Sequence, residues 1–225
     1  MSNDGGAAAV PSAPRPPAKT WTWVDIPGMT CGNGQPTGVG VYVVPESSET
    51  IFYMAGGGAC WDGPTCYGLK AASYMDSGFT KRDFESDRQA VTVQSLPDGN
   101  TPLRGRNMVY VPYCTGDDHA GNNVIRYDDK GSSRTAHHVG YENVGRALDY
   151  VATIWPAMSR LIVMGVSAGG FGTVFNFDRV QRRFPEVRVD GIDDSGADDR
   201  AGARALGDGE DPLGSTASAR LSRVP

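Results

Sequence analysis

The segment LIVMGVSAGGFG, residues 161–172, decides the fold of this 225-residue chain. Its first six residues form a short apolar run typical of a strand buried in a sheet. Ser167 follows directly, and residues 171–184 then carry apolar side chains at the spacing of a helix. A buried strand that leads through a tight turn into a helix is the repeating unit of an α/β protein.

The residues around Ser167 match the pattern G-x-S-x-G, with glycines at positions 165 and 169. In a strand–turn–helix context this pattern presents a serine hydroxyl above the sheet, and the two glycines relieve crowding at the turn. The backbone N–H of Ala168, at the start of the helix, can face a developing oxyanion. We therefore predict that Ser167 is the nucleophile of an acyl-transfer reaction. The alternative is a Gly-Ser loop that only caps a helix.

A second motif, Gly56-Gly57-Gly58, directly follows another apolar run. Without side chains, the backbone N–H groups of such a loop can approach a ligand oxygen closely, as in the lipase-type oxyanion hole. The alternatives are a flexible turn and a phosphate cradle. The cradle is disfavoured because no Gly-Lys-Ser/Thr sequence follows.

The rest of the hydrophobic pattern predicts the same architecture. Residues 141–154 carry apolar side chains at helical spacing and end before Pro156, which stops or kinks a helix. Residues 45–50 predict a hairpin loop between two strands. The predicted strands are residues 21–26, 39–44, 51–54, 107–112, 161–166 and 187–192. We expect an α/β fold with a mainly parallel sheet flanked by helices.

Composition limits the domain organisation and the possible partners. The chain is 39% hydrophobic, which suits one domain with a substantial core, here residues 20–196. Residues 1–19 are rich in Ala and Pro and predict a flexible linker, without a signal-peptide core. Residues 197–225 lack aromatic side chains and are expected to be disordered or weakly helical. A net charge of −5 disfavours nucleic-acid binding, and the lack of an 18-residue apolar run predicts no membrane span.

Four cysteines, Cys31, Cys60, Cys66 and Cys114, permit three disulfide pairings. An even number of cysteines favours an oxidising compartment. The alternative is four buried thiols. Because no two cysteines have Cys-x-x-Cys spacing, a metal site is disfavoured. We predict neither a metal nor a cofactor.

Four segments, taken together and in this order, resemble the pectinacetylesterase family of Notum-like α/β-hydrolases. They are residues 52–66 (FYMAGGGACWDGPTC), 107–121 (NMVYVPYCTGDDHAG), 165–172 (GVSAGGFG) and 193–196 (DDSG). The resemblance covers about residues 21–196. It implies an α/β-hydrolase fold and a serine carboxylesterase that removes an acyl group, acetyl in the plant members. The implied partner is an acylated small molecule or polysaccharide, and the implied location is extracellular or periplasmic.

The same resemblance assigns roles to individual residues. Ser167 matches the nucleophile of the family, and the oxyanion-hole positions fall on Gly57, Gly58 and Ala168. Cys60 would pair with Cys66, and Cys31 would pair with Cys114. Closing the longer of these two loops stabilises the fold by around 4 kcal/mol in the chain-entropy model.

The sequence departs from the α/β-hydrolase pattern after the serine. The catalytic acid and histidine of these enzymes follow the serine in the chain, but no histidine follows Ser167 here. The resemblance stops at Gly196, so we expect a shortened member with an incomplete sheet on its C-terminal side. Asp194 is expected to brace the pocket, and no triad acid is assigned. Without a general base the serine is a poor nucleophile, which predicts little activity; the alternative is a non-catalytic family member.

Three histidines precede Ser167. His119 lies in a polar loop after a predicted strand, where α/β proteins bind ligands, and is expected to be a turn residue. His137 and His138 are expected in a loop or at the entry to a helix. A metal-dependent hydrolase would need these histidines together with the nearby aspartates Asp117, Asp128 and Asp129. Their spacing does not match a known metal motif.

Overall fold

The computed structural model describes residues 15–129, 131–194 and 220–221. Its strands are β1 (Thr22–Thr30), β2 (Pro36–Tyr42), β3 (Glu49–Met54), β4 (Asn107–Val111), β5 (Asn123–Asp129), β6 (Ser132–His138), β7 (Arg160–Val166), β8 (Arg188–Asp194) and β9 (Arg220–Leu221). Its α-helices are α1 (Lys81–Ser86), α2 (Arg88–Gln94), α3 (Gly140–Ile154) and α4 (Ala168–Arg183). A π-helical turn occupies Pro64–Gly68.

The main sheet has the strand order β1-β2-β4-β3-β7-β8-β9. The central neighbours β4, β3, β7 and β8 are parallel to one another, as predicted. The outer pairs β1–β2, β2–β4 and β8–β9 are antiparallel. Strands β5 and β6 form a separate antiparallel pair. The parallel centre matters for function because the carboxyl ends of β3 and β7 lie side by side.

The predicted hairpin at residues 45–50 is wrong, because β4 lies between β2 and β3. Val109 of β4 pairs with Val41 on one side and with Phe52 on the other. The buried side chain of Asn107 explains the arrangement. It accepts a hydrogen bond from the Val44 N–H at 2.8 Å and donates to the Ser47 carbonyl at 3.0 Å. The turn therefore closes around the beginning of β4 and not on itself.

The core has two layers, one on each face of the sheet. Alternate residues of β3 separate them, with Phe52 in one layer and Tyr53 in the other. The first layer contains α3 and α4 residues, including Val144, Leu148 and Val180. The second contains residues of α1 and α2 and the segment before them, among them Phe79, Phe84 and Val93. Helices thus cover both faces.

Residues 1–14, 195–219 and 222–225 lie outside the described residues. They include most of the predicted linker, the last two residues of the predicted domain and most of the predicted tail. Ala18, within the predicted linker, forms a parallel bridge with Val43. The expected loop position of His137 and His138 is wrong, because both residues end β6 and pair with Val124 and Asn123. Among the residues that the structure describes, no helix has the length and apolar character needed to span a bilayer.

Candidate active site

Ser167 occupies a sharp turn between the end of β7 and the start of α4. Its backbone has φ 54° and ψ −122°, a conformation that a residue with a side chain rarely adopts. Its N–H donates to the Asp194 carbonyl at 2.9 Å, and its carbonyl accepts from the Phe171 N–H at 3.1 Å. The side chain itself is exposed. The turn is thus anchored on both sides while the hydroxyl remains accessible.

Close backbone packing explains the two glycines of the G-x-S-x-G motif. A Cβ atom on Gly165 would lie 2.1 Å from the Gly169 carbonyl oxygen. A Cβ atom on Gly169 would lie 2.0 Å from the Met54 carbonyl oxygen, at the end of β3. The turn therefore packs directly against the neighbouring strand, and no side chain fits at either position.

The glycine loop, residues 56–58, follows β3 and lies against this turn. A Cβ atom on Gly56 would lie 2.3 Å from the Val166 carbonyl oxygen and 3.2 Å from Ser167 Cβ. At Gly57 it would lie 2.7 Å from the Tyr113 ring, and Gly58 has a φ of +78°. The missing side chains allow the loop backbone to reach the serine.

The backbone N–H groups of the glycine loop differ in their partners. The Gly56 N–H donates to Gln89 Oε1 at 3.2 Å, and the Gly57 carbonyl accepts from the Ser73 N–H at 2.7 Å. Within the described ranges, the N–H groups of Gly57 and Gly58 bond to no acceptor. Ala168 begins α4, where the first N–H groups have no partner within the helix. All three predicted oxyanion-hole residues therefore belong to two segments that meet at Ser167.

A cavity of about 510 Å³ reaches the turn, with Gly56 and Val166 in its wall. Aromatic and polar side chains from the sheet, from α2 and its cap, and from the loops line it, including Tyr53, Tyr74, Phe79, Asp87, Arg88, Gln89, Tyr110, Tyr113 and Asp194. The Tyr74 hydroxyl donates to Asp87 Oδ2 at 2.8 Å. Burial and the Asp87 carboxylate raise the pKa of Tyr74 to about 12, so this hydroxyl stays protonated. The cavity combines ring faces with hydrogen-bonding groups.

Two disulfides, Cys31–Cys114 and Cys60–Cys66, join the cysteines in the pairs that the family resemblance implies. Cys60 lies just after the glycine loop, and its N–H donates to the Gly116 carbonyl at 3.0 Å. Ligand atoms of Cys60, Cys66 and His138 lie within 4.8 Å of one another. They form no metal site in this state, because a disulfide sulfur is not the thiolate that a metal binds.

His119 and His138 each form a hydrogen bond to a backbone carbonyl group. His119 lies in a turn, as predicted, but is 1% exposed, and its Nε2 lies 2.8 Å from the Ala55 carbonyl oxygen. Burial lowers the pKa of His119. His138 Nδ1 lies 2.8 Å from the Thr115 carbonyl oxygen, and its Nε2 lies 3.2 Å from the Tyr127 hydroxyl.

Sequence reasoning missed the residues that α2 contributes to the cavity. Asp87 caps this helix by accepting from the Ala90 N–H at 2.9 Å, and Gln89 bonds both Gly56 and the Tyr53 hydroxyl. Within the sequence, only the capping residue Asp87 indicates this helix. Seven residues are too few to show a clear helical period of apolar side chains.

Comparison with known proteins gives matches to esterases. A sequence profile described as pectinacetylesterase matches residues 24–198. The palmitoleoyl-protein carboxylesterase NOTUM of Mus musculus is 28% identical over 178 residues, covering 75% of this chain and 33% of the relative. Its counterpart in Homo sapiens is 27% identical over 177 residues, covering 75% of this chain and 34% of the relative. The chain thus spans about a third of the length of these curated relatives.

A solved structure supports the fold assignment. The Wnt deacylase Notum from Drosophila superposes with a TM-score of 0.56 at 20% identity, covering 78% of this chain and 52% of that one. This match confirms the predicted α/β-hydrolase fold. Because the profile match extends over most of the sequence, the chain belongs to the pectinacetylesterase family of carboxylic ester hydrolases.

Proposed function

We propose that this protein is a serine carboxylesterase that hydrolyses a short acyl ester, with Ser167 as the nucleophile. One observation carries the proposal: the glycine loop meets Ser167 so closely that a Cβ on Gly56 would lie 3.2 Å from Ser167 Cβ. An exposed serine on a sharp strand-to-helix turn, beside loop N–H groups that bond to no acceptor among the described residues, is the arrangement that acyl transfer needs.

The proposed reaction has two stages. Ser167 Oγ attacks the ester carbonyl, and the N–H groups of Gly57, Gly58 and Ala168 stabilise the oxyanion. The C–O bond to the alcohol then breaks, and the alcohol leaves with the serine proton. Water attacks the acyl-enzyme in the second stage, releases the acid and restores the hydroxyl.

No residue of this chain is assigned as the base. No histidine follows Ser167 in the sequence, and Nε2 of His119 and both ring nitrogens of His138 bond other groups. In serine hydrolases an oxyanion hole without a working triad retains about 10³-fold catalysis over water. We therefore expect slow turnover from this chain alone.

The cavity favours a hydroxylated alcohol, such as a sugar residue, with a small acyl group such as acetyl. Its wall holds tyrosine hydroxyls together with Asp87, Arg88 and Gln89. These groups can hydrogen-bond the hydroxyls of an acylated small molecule or polysaccharide. A long hydrocarbon chain in the same space would cover them without replacing their bonds to water, which is costly.

We propose that the protein works in an extracellular or periplasmic compartment. Both disulfides support it, because structural disulfides persist in oxidising environments.

A second candidate function is non-catalytic binding of acylated glycans in the same cavity. The observation that favours it is the lack of any histidine after Ser167 in the sequence. Under this alternative the fold and the cavity are the same, but the protein carries out no acyl transfer.

Hydrolysis of p-nitrophenyl acetate by the purified protein tests the proposal. We expect a slow rate that Ser167→Ala removes and that Ser132→Ala, on the exposed end of β6, leaves unchanged. The palmitate ester should react more slowly than the acetate. A rate that survives Ser167→Ala would overturn the proposed nucleophile. Binding of an acetylated oligosaccharide with no turnover and no labelling of Ser167 by a fluorophosphonate would establish the non-catalytic alternative.

A further inference from the structure

We infer that His119 is a positioning residue: it holds the glycine loop in shape by fixing the peptide unit between Ala55 and Gly56. The inference rests on the proposed function for its catalytic consequence, but its structural part stands alone. It begins with the last backbone hydrogen bond of β3. The Ala55 N–H donates to the Val111 carbonyl at 3.0 Å, and there the pairing of β3 with β4 ends.

After that bond, the next peptide unit of the chain is hydrogen-bonded by two side chains and not by a neighbouring strand. His119 Nε2 lies 2.8 Å from the Ala55 carbonyl oxygen, so the ring N–H donates to it. The Gly56 N–H, on the opposite side of the same peptide unit, donates to Gln89 Oε1 at 3.2 Å. The peptide between Ala55 and Gly56 is therefore held from both sides.

This constraint matters because the next two residues of the chain are glycines. Gly57 and Gly58 have no side chains to limit their backbone, and glycine populates both halves of φ space. The orientation of their N–H groups is thus set by the fixed peptide before them and by the Ser73 N–H, which donates to the Gly57 carbonyl at 2.7 Å. Release of the Ala55 carbonyl would widen the range of directions in which the two N–H groups point.

His119 is itself held by the elements that form the other half of the site. Its ring centroid lies 5.0 Å from that of Tyr113, and its backbone φ of 58° continues the left-handed φ of Asp118. A Cβ atom on Gly172 of α4 would lie 2.9 Å from His119 Cβ. Asn176, also in α4, donates from Nδ2 to the His119 carbonyl at 3.1 Å. His119 thus links the glycine loop to the helix that begins after Ser167.

Two matched variants distinguish the effect of the His119 hydrogen bond from the effect of packing its ring. Both His119→Gln and His119→Leu lose the ring contact with Tyr113, and the new side chain must adopt the same left-handed backbone in both variants. Only Gln keeps an N–H at about the reach of Nε2. The amide protons of Gly56 and Ser73 report on the loop, because they form the hydrogen bonds to Gln89 and to the Gly57 carbonyl. We expect both to exchange with solvent about tenfold faster in His119→Leu and at near wild-type rates in His119→Gln. The β4 amides serve as the internal control.

The catalytic readout uses the same pair. In His119→Leu we expect kcat on p-nitrophenyl acetate to fall about a hundredfold with little change in KM, the effect of losing an oxyanion-hole donor. His119→Gln should restore most of that loss. If His119→Leu does not fold, His119→Asn takes its place, because Asn tolerates the left-handed backbone and its amide is too short to reach Ala55.

Two results would overturn the inference: wild-type exchange at Gly56 and Ser73 in folded His119→Leu, or equal acceleration in His119→Leu and His119→Gln. The second would leave His119 with a packing role only. If the proposed function is wrong, the experiments give a different result. In that case turnover would be absent or insensitive to Ser167→Ala, while the exchange rates would still separate the two variants.

Discussion

The backbones of Gly165 and Gly169 are in direct contact, with a Cβ position on Gly165 only 2.1 Å from the Gly169 carbonyl oxygen. Gly165→Ala should lower the free energy of unfolding by about 3 kcal/mol or more, because rigid backbone must move to accommodate the methyl group. Urea denaturation measures the loss.

Gly105→Ala is the matched control for that substitution. Gly105 has a φ of +72° and nothing within 4 Å of its Cβ position, so the new methyl group meets only backbone strain. We expect a loss of about 1 kcal/mol there. Equal losses of unfolding free energy in the two variants would contradict the steric explanation for the glycine at position 165, next to the turn at Ser167.

The two disulfides should differ in how much they stabilise the fold. Cys31 and Cys114 are 83 residues apart in sequence, whereas Cys60 and Cys66 are separated by 6. In the chain-entropy model their loops contribute about 4 to 5 and about 2.4 kcal/mol, respectively. Replacing each pair with alanines and measuring unfolding in urea tests the order. A larger loss from the short loop would show that native-state contacts, and not loop length, determine the effect.

Buried His119 should make the protein sensitive to mild acid. Burial lowers the pKa of His119 in the folded state. The stability contributed by the neutral ring is therefore present above the ordinary histidine pKa of about 6.5 and is lost as the pH falls below it. The slope for this single group is at most about 1.4 kcal/mol per pH unit.

Urea titrations at pH 7 and at successively lower pH measure this slope, with His119→Gln as the reference because it cannot titrate. Asp117 is the charged group that opposes the shift, since its carboxylate raises the pKa of His119. We expect the wild type to lose more stability than His119→Gln over this range. Parallel curves would show that the pKa of His119 is the same in the folded and unfolded states.

At high pH, the tyrosines should ionise late. Burial is the larger cause that raises the pKa of Tyr42 and Tyr74 to about 12, and the carboxylates of Asp98 and Asp87 add to it. Unfolded tyrosines ionise near pH 10, so the folded state loses stability as the pH rises from about 10. Tyrosinate absorbance should therefore rise together with unfolding. Asp98→Asn should lower the pKa of Tyr42, and an unchanged titration would refute the pairing.

The serine turn and the central strands could be predicted because local sequence determines them. Residues 161–166 form an apolar run long enough for a buried strand, and the glycines at 165 and 169 are required by contacts within or next to the turn. The order of the strands was not accessible in this way. The turn after β2 predicts a reversal of the chain, but whether β4 enters the gap depends on Asn107, about sixty residues later.

The second half of the site shows the same limit. The polar segment around His119 predicts a surface turn, and the turn is correct, but the buried ring meets Ala55, 64 residues earlier in the chain. Helices α1 and α2 have six and seven residues, too few to establish a period. Their apolar side chains can be recognised as one side of a helix only when the sheet face that they cover is known.

The pairing of Met54 with Gly165 joins strand ends more than a hundred residues apart in the chain. On a ribosome the glycine loop emerges well before the serine, at about 5–20 residues per second. During that interval the edge of β3 that will receive β7 remains open, and an open edge invites pairing with other chains. The edge of β3 is therefore covered only after residues 160–166 have been synthesised.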